Sequence, residues 1–214
     1  MKSKIYTWHN TTTQSILISN LLKKKVILTS TDTVPGLMAI PCPETIASLN
    51  QIKIRQDKPY LLLIGNKSQL RDFVIINNDP GLYRIIDQCW PGPITLIFQA
   101  QENAPQCLLS EKKTIAIRMP QHNGILELLK KIGAVFSTSA NISGHPVPQE
   151  ISQIPETIKQ QVSCIVTDQQ NSSINSLAST IIDCTTTPLT IVRKGAYPIS
   201  KIETIYGHPL KTIP

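Results

Sequence analysis

The chain has 214 residues, 41% of them hydrophobic and 16% charged, which suits one α/β domain with a sizeable core and excludes a disordered chain. Its net charge of +7 argues for an anionic partner, yet the cations fall in separate short clusters (Lys23 to Lys25, Lys112 and Lys113, Lys130 and Lys131, Arg193 and Lys194) rather than in a nucleic-acid-binding tail. Five cysteines, Cys42, Cys89, Cys107, Cys164 and Cys184, are odd in number and form no Cys-x-x-Cys pair, so neither a disulfide framework nor a structural zinc site is expected.

In chain order, residues 12–25 carry Ile16, Leu17, Leu21 and Leu22 at helical spacing behind a Thr-rich start, and end in three lysines that suit the negative end of a helix dipole. Val26, Ile27 and Leu28 read as a short buried strand. It runs into Thr29-Ser30-Thr31-Asp32-Thr33-Val34-Pro35-Gly36, a polar cluster and a Pro-Gly turn where α/β proteins often bind ligands. Residues 43–53 predict a helix with Pro43 near its start and Ile46, Leu49 and Ile52 on one face. The segment 53–59, Lys-Ile-Arg-Gln-Asp-Lys-Pro, puts Lys53, Arg55 and Lys58 within six positions. It leads into a central strand over 60–64.

Helices are expected over 67–74 and 80–89, then the breaker Trp90-Pro91-Gly92-Pro93, read as architectural, and a strand over 94–98. Residues 113–119 alternate, with Ile115 and Ile117 on one face and Arg118 on the other. A helix over 123–132 closes at Gly133, and Ala134, Val135 and Phe136 form a strand. A weak helix is expected over 154–162 and strands over 164–167, 179–183 and 189–193, with a polar loop over 168–177 and an ambiguous tail after Tyr197. Residues 1–10 lack an apolar signal core, and no run approaches the ~18 apolar residues of a membrane span; the expected location is cytoplasmic, with no membrane partner.

No Gly-x-Gly-x-x-Gly, Walker loop, Gly-x-Ser-x-Gly elbow or His-Glu-x-x-His is present, and His9, His122, His145 and His208 make no metal spacing. His145 stays a minor candidate because it adjoins the string Ser-Thr-Ser-Ala-Asn-Ile-Ser-Gly at 137–144. Ser137, Ser139, Asn141 and Ser143 supply small donors after a strand, and Gly144 permits close backbone approach, a combination suited to phosphate or carboxylate oxygens. Lys53, Arg55 and Arg118 could supply countercharge.

These pieces occur in a familiar order. Ser30 to Leu37, Lys53-Ile54-Arg55, Trp90 to Thr95, Ile117-Arg118-Met119-Pro120, Ser137 to Gly144 and Ser179-Thr180-Ile181-Ile182-Asp183 together resemble the YrdC/Sua5 family of threonylcarbamoyl-adenylate synthases, in its short bacterial form. The resemblance implies an α/β fold: a single YrdC-like domain over about residues 8–200, with a twisted mixed sheet flanked by helices around a basic cavity and without the further C-terminal domain of long forms. It implies that L-threonine, bicarbonate and ATP, with Mg2+ on the phosphates, give L-threonylcarbamoyladenylate and pyrophosphate. The product then passes to a tRNA threonylcarbamoyl-transferase complex that modifies A37, and tRNA itself is a further candidate partner.

By the same resemblance, Lys53 and Arg55 are catalytic and hold ATP phosphates, while Ser139, Asn141 and Arg193 complete the ATP site. Thr31, Arg118, Ser137 and Ser179 hold threonine, with Arg118 on its carboxylate. The chain departs from the family pattern at Pro35, at Leu63 where a histidine is sometimes found, at Ala178, and in the loop length around Lys58. Two alternatives stay open: an RNA-binding or ribosome-assembly factor, against which stands an aromatic content of 5%, and a paralogous nucleotidyl- or carbamoyl-transfer enzyme with another acceptor. Residues 145–178 are a candidate lid.

Overall fold

A computed structural model describes residues 3–8, 10–55, 59–168 and 177–212. In chain order the elements are β1 (Lys4–Thr7), α1 (Thr11–Leu22), β2 (Ile27–Thr29), β3 (Gly36–Ala39), α2 (Pro43–Lys53), β4 (Leu61–Leu63), α3 (Leu70–Phe73), β5 (Val74–Ile75), α4 (Pro80–Cys89), β6 (Ile94–Ala100), β7 (Thr114–Arg118), α5 (Asn123–Ile132), β8 (Val135–Ser139), α6 (Glu156–Lys159), β9 (Cys164–Thr167), β10 (Thr180–Asp183), β11 (Thr190–Arg193), α7 (Ile199–Tyr206) and β12 (Lys211–Thr212).

The helix ends follow from their sequences. Asp79 accepts from the amides of Gly81 and Leu82 at the start of α4, with Pro80 in the first turn. His122 Nδ1 accepts from Ile125 N at the start of α5, and Gly133, at φ +83°, ends that helix.

The strands form one mixed sheet in the order β1-β9-β2-β3-β8-β4-β7-β6-β10-β11-β12, with β5 added to β6. Parallel pairs, such as β4 with β7 and β6 with β10, occur together with antiparallel pairs, such as β3 with β8 and β6 with β7. Successive strand residues point to opposite faces. Leu28, Leu37, Leu62, Ile117, Phe136 and Ile182 bury one face in the larger core, with Leu49 and Ile52 of α2 and Leu82, Ile85 and Ile86 of α4. Ile27, Met38, Leu63, Val135 and Val166 face the other way, onto Leu17 and Leu21 of α1 and Ile125, Leu128 and Leu129 of α5. That second core involves β9, β2, β3, β8 and β4 but no residue of β7, β6, β10 or β11. The same face of the sheet continues past α1 and α5 as the floor of a cavity.

The Pro-Gly turn expected at 35–36 leads straight into a strand instead: β3 pairs antiparallel with β2 and β8, and all four of its residues are buried. Buried on both faces, it shows no polar alternation. The weak helix over 154–162 reduces to α6, and the ambiguous tail contains α7, whose Ile202 and Tyr206 join the core. The sheet extends at both ends beyond residues 8–200, through β1 and β12. No helix among the described residues is long and apolar enough to cross a membrane.

Candidate functional site

The cavity encloses about 300 Å³. Its floor is the same face of the sheet, beside α5 and beyond it: Ser137 and Ser139 from β8, Leu61 and Leu63 from β4, Ala116 and Arg118 from β7, Thr95 from β6, Ile181 from β10 and Arg193 from β11. Thr31, Asp32, Thr33 and Val34, from the connection between β2 and β3, make one wall. Arg55, Pro59 and Tyr60 lie at another, with Val147, Ala178 and Ser179 beyond.

Arg118 reaches the floor through the alternation read from the sequence, since Ile115 and Ile117 go to the core and Ala116 and Arg118 do not. Its guanidinium is 4% exposed as a residue and is held at three points. Nε donates to Gly92 O at 3.0 Å, one Nη to Thr33 Oγ1 at 2.9 Å and the other to Asp32 Oδ2 at 2.5 Å. Asp32 Oδ2 also accepts from Gln121 N at 2.8 Å. Burial pushes the Arg118 pKa down and Asp32 opposes that shift; a guanidinium stays charged throughout. The Trp-Pro-Gly-Pro breaker therefore does more than turn the chain: it delivers the Gly92 carbonyl to Arg118. Thr31 accepts from Thr33 N at 3.0 Å and donates to Val34 O at 2.8 Å, so the Thr-Asp-Thr segment is internally tied before it meets Arg118.

Arg193 owes its place to a β-bulge. Ile182 pairs with Ile191 but Ile181 pairs with Arg193, which leaves Val192 as the extra residue on β11. Paired residues share a face, so Arg193 sits on the cavity side with Ile181. Its Nε and Nη2 both donate to Ser179 O, at 3.1 and 2.8 Å, and Nη2 also reaches Ser179 Oγ at 3.2 Å. Burial lowers its pKa, and the charge of Arg118 adds to that effect.

Arg55 stacks over the Tyr60 ring, 4.6 Å from its centroid, and donates to Pro59 O at 3.0 Å; Tyr60 is fixed in turn by a 2.7 Å bond to Asn50 Oδ1.

Lys53 behaves differently from its neighbour. It is 3% exposed and does not line the cavity. Its ammonium donates to Ser139 O at 2.6 Å, Asn141 O at 2.8 Å and Asn141 Oδ1 at 3.1 Å, which matches its three N–H donors. Burial, and to a lesser extent Arg55, lowers its pKa to about 8. Asn141 Oδ1 also accepts from Ser139 Oγ at 2.6 Å, and Asn141 Nδ2 donates to His145 O at 2.7 Å.

Seven of the nine expected site residues thus share one cavity: Thr31, Arg55, Arg118, Ser137, Ser139, Ser179 and Arg193. Lys53 and Asn141 stand behind it, bonded to Ser139. Ser143 and His145 are exposed and outside the lining. Lys58 and residues 169–176 of the candidate lid lie outside the described residues. Sequence reading assigned no role to Asp32, Thr33, Tyr60 or Thr95; the first two lie inside the Ser-Thr-Asp-Thr string and Thr95 closes Trp-Pro-Gly-Pro-Ile-Thr, so the motifs themselves were the available signal. The described lining carries three guanidiniums, of Arg55, Arg118 and Arg193, and one carboxylate, of Asp32. A small, basic, hydroxyl-rich cavity of this kind can hold carboxylate and phosphate groups together.

Comparison with known proteins places the chain in a family. The Sua5/YciO/YrdC family model, described as telomere recombination, matches residues 19–195. The threonylcarbamoyl-AMP synthase of Pyrococcus abyssi is 31% identical over 187 residues, which are 86% of this chain and 54% of that protein. That of Shigella flexneri is 32% identical over 141 residues, 64% of this chain and 74% of that protein. Among solved structures, P. abyssi Sua5 complexed with L-threonine superposes with a TM-score of 0.86 at 27% identity, covering 99% of this chain and 62% of that one. E. coli YciO, at a TM-score of 0.81 and 21% identity, covers 94% of this chain and 99% of that one and shares the fold. The chain spans little more than half the length of the P. abyssi synthase.

Proposed function

Because the chain belongs to the Sua5/YciO/YrdC family, we propose that it is a threonylcarbamoyl-AMP synthase, a nucleotidyltransferase that joins L-threonine, bicarbonate and ATP. The observation that carries this reading is the single basic cavity in which Thr31, Arg118, Ser137 and Ser179 meet Arg55, Ser139 and Arg193. P. abyssi Sua5, solved with L-threonine, adds support. Tyr60 is the one aromatic residue among the described lining, which favours a small-molecule site over a stacking platform for RNA.

In the proposed reaction, the unprotonated threonine amine forms a C–N bond to bicarbonate carbon with loss of water. A carbamate oxygen then attacks the α-phosphorus of ATP, and the bond to the β-phosphate breaks to release pyrophosphate. The protein contributes position and charge rather than covalent chemistry. Arg118, fixed by Asp32, Thr33 and Gly92, grips the threonine carboxylate, with Thr31, Ser137 and Ser179 as hydroxyl partners. Arg55 and Arg193 meet the phosphates, and Ser139 and Asn141 shape the nucleotide wall. Lys53 is the cation that holds that wall, and its direct contact with a phosphate would require exchanging one of its three bonds. A magnesium ion accompanying ATP would be held mainly by phosphate oxygens and water and would add positive charge at the phosphates. Asp32 Oδ2 is taken up by Arg118 and by Gln121 N, while its buried Oδ1 has no hydrogen-bond partner among the described residues. The product would serve a separate transferase complex that modifies A37 of tRNA, in the cytoplasm.

Pyrophosphate release from ATP and bicarbonate, with and without L-threonine, tests the proposal. Release that requires threonine and falls at least tenfold in Arg55→Ala is the expected result. Release indifferent to threonine, or none, would overturn it.

A further inference from the structure

We propose that Thr95 is a positioning residue that sets the hydroxyl of Ser179 as a donor to the bound amino acid, an inference that rests on the reading above. Thr95 lies on β6 and Ser179 immediately precedes β10, 84 residues apart. The parallel pairing of β6 with β10 brings them together: Ile94 is in register with Thr180 and Thr95 with Ile181. Both residues are at most 4% exposed, both line the cavity, and their hydroxyl oxygens are 2.8 Å apart.

The hydrogen count decides what this pair can do. Ser179 Oγ already accepts from Arg193 Nη2. Two hydroxyls carry two protons, and their mutual bond uses one. If Thr95 donates, both lone pairs of Ser179 Oγ are filled and its own O–H is left to point at a ligand acceptor. If Ser179 donates, the remaining proton is on Thr95. Arg193 favours the first arrangement, because an oxygen that accepts from a guanidinium and a hydroxyl is polarised as a donor. The pair thus offers one directed O–H toward an oxygen of the amino acid, beside the Arg118 guanidinium. Valine at position 95 keeps the shape and removes that control; serine keeps the hydroxyl.

Calorimetric binding of L-threonine and, separately, of ATP to wild type, Thr95→Val, Thr95→Ser, Ser179→Ala and the Thr95→Val/Ser179→Ala pair tests this. Thr95→Val is expected to weaken threonine binding about tenfold, the size of one lost hydrogen bond, with ATP affinity within about twofold of wild type. Thr95→Ser should stay within about threefold of wild type for both. In the Ser179→Ala background, Thr95→Val should add less than about twofold, because its effect runs through the missing hydroxyl. Wild-type affinity in Thr95→Val, additive losses in the pair, or parallel loss of threonine and ATP affinity in both position-95 variants would overturn the assignment; the pair and Thr95→Ser decide it even where Thr95→Val folds poorly. Absence of threonine binding in wild type would overturn the synthase reading itself.

Discussion

Lys53 and Asn141, 88 residues apart, are joined twice: the Lys53 ammonium donates to the Asn141 carbonyl at 2.8 Å and to its side-chain oxygen at 3.1 Å. The third donor goes to Ser139 O. A buried lysine without a carboxylate partner is costly, and here carbonyl dipoles replace water. Removing it leaves the buried Asn141 carbonyl without a partner, at about 1–3 kcal/mol, while Ser139 O still accepts from Asn141 N at 3.0 Å and Asn141 Oδ1 from Ser139 Oγ at 2.6 Å. Lys53→Met is therefore expected to destabilise the fold by about 1–3 kcal/mol and to weaken ATP binding more than threonine binding. Urea denaturation and calorimetry check both. A variant as stable as wild type that still loses ATP binding would make Lys53 a direct ligand contact instead.

The lowered pKa of Lys53 has two consequences of opposite sign. Its folded value of about 8 lies below the ordinary 10.5, so between those pH values the unfolded chain binds more protons at this site. The contribution of Lys53 to stability is fully present above pH 10.5 and is lost as pH falls through 8. Subtracting Lys53→Met from wild type should therefore expose a stability difference that moves in favour of wild type from pH 8 to 10. ATP affinity should move the other way, with an alkaline limb near pH 8, because deprotonation removes one donor from the 139–141 turn and a positive charge from beside the phosphates. A flat stability difference over that range would refute the shift.

Asp32 and Arg118 form an ion pair with both partners almost fully buried. Breaking such a pair on one side strands the other charge, at a typical cost of 3–5 kcal/mol. Asp32→Asn keeps the shape and an acceptor, so its cost should be smaller, about 2 kcal/mol, while Asp32→Ala should approach the full value. Arg118→Met placed on Asp32→Ala should restore part of the loss, since it removes the stranded charge. Urea denaturation of the set measures this, and strictly additive losses would show that the two residues are not coupled.

Part of this site could be read from residues in sequence. The Ile115, Ile117 and Arg118 alternation predicted which face Arg118 takes, and the Ser-Asn string and the Lys-Ile-Arg loop picked out residues that the fold brings to one cavity or directly behind it. Other parts could not be read, because they depend on contacts between distant segments. Nothing local says that Lys53 is buried, since a lysine ordinarily stays in water and its three acceptors lie 86 and 88 residues away. Arg193 faces the cavity only because a bulge at Val192 shifts the register against β10. β3 was hidden by its own burial: with both faces covered it has no alternation, and Pro35-Gly36 reads as a turn.

Ile54 separates Lys53, buried behind the wall, from Arg55, which lines it. It caps α2 at φ +49° and ψ +57°, a left-handed conformation in which a side chain costs about 1–2 kcal/mol and which a β-branched residue rarely adopts. Its side chain is 73% exposed, so burial offsets little of that cost. Its amide donates to Gln51 O at 3.3 Å and that of Arg55 to Asn50 O at 3.0 Å, which fixes the turn that sends the two cations in different directions. Glycine occupies this conformation without strain but loses more freedom on folding, by about 0.5–1 kcal/mol. The balance predicts that Ile54→Gly stabilises the protein by about 0.5–1 kcal/mol, visible as a higher urea midpoint at unchanged slope. If the residue served only as a cap, ATP and threonine affinities would stay at wild-type values. A more stable variant with weakened ATP binding would instead mean that the exposed isoleucine side chain itself meets the nucleotide, and a less stable variant would refute the strain.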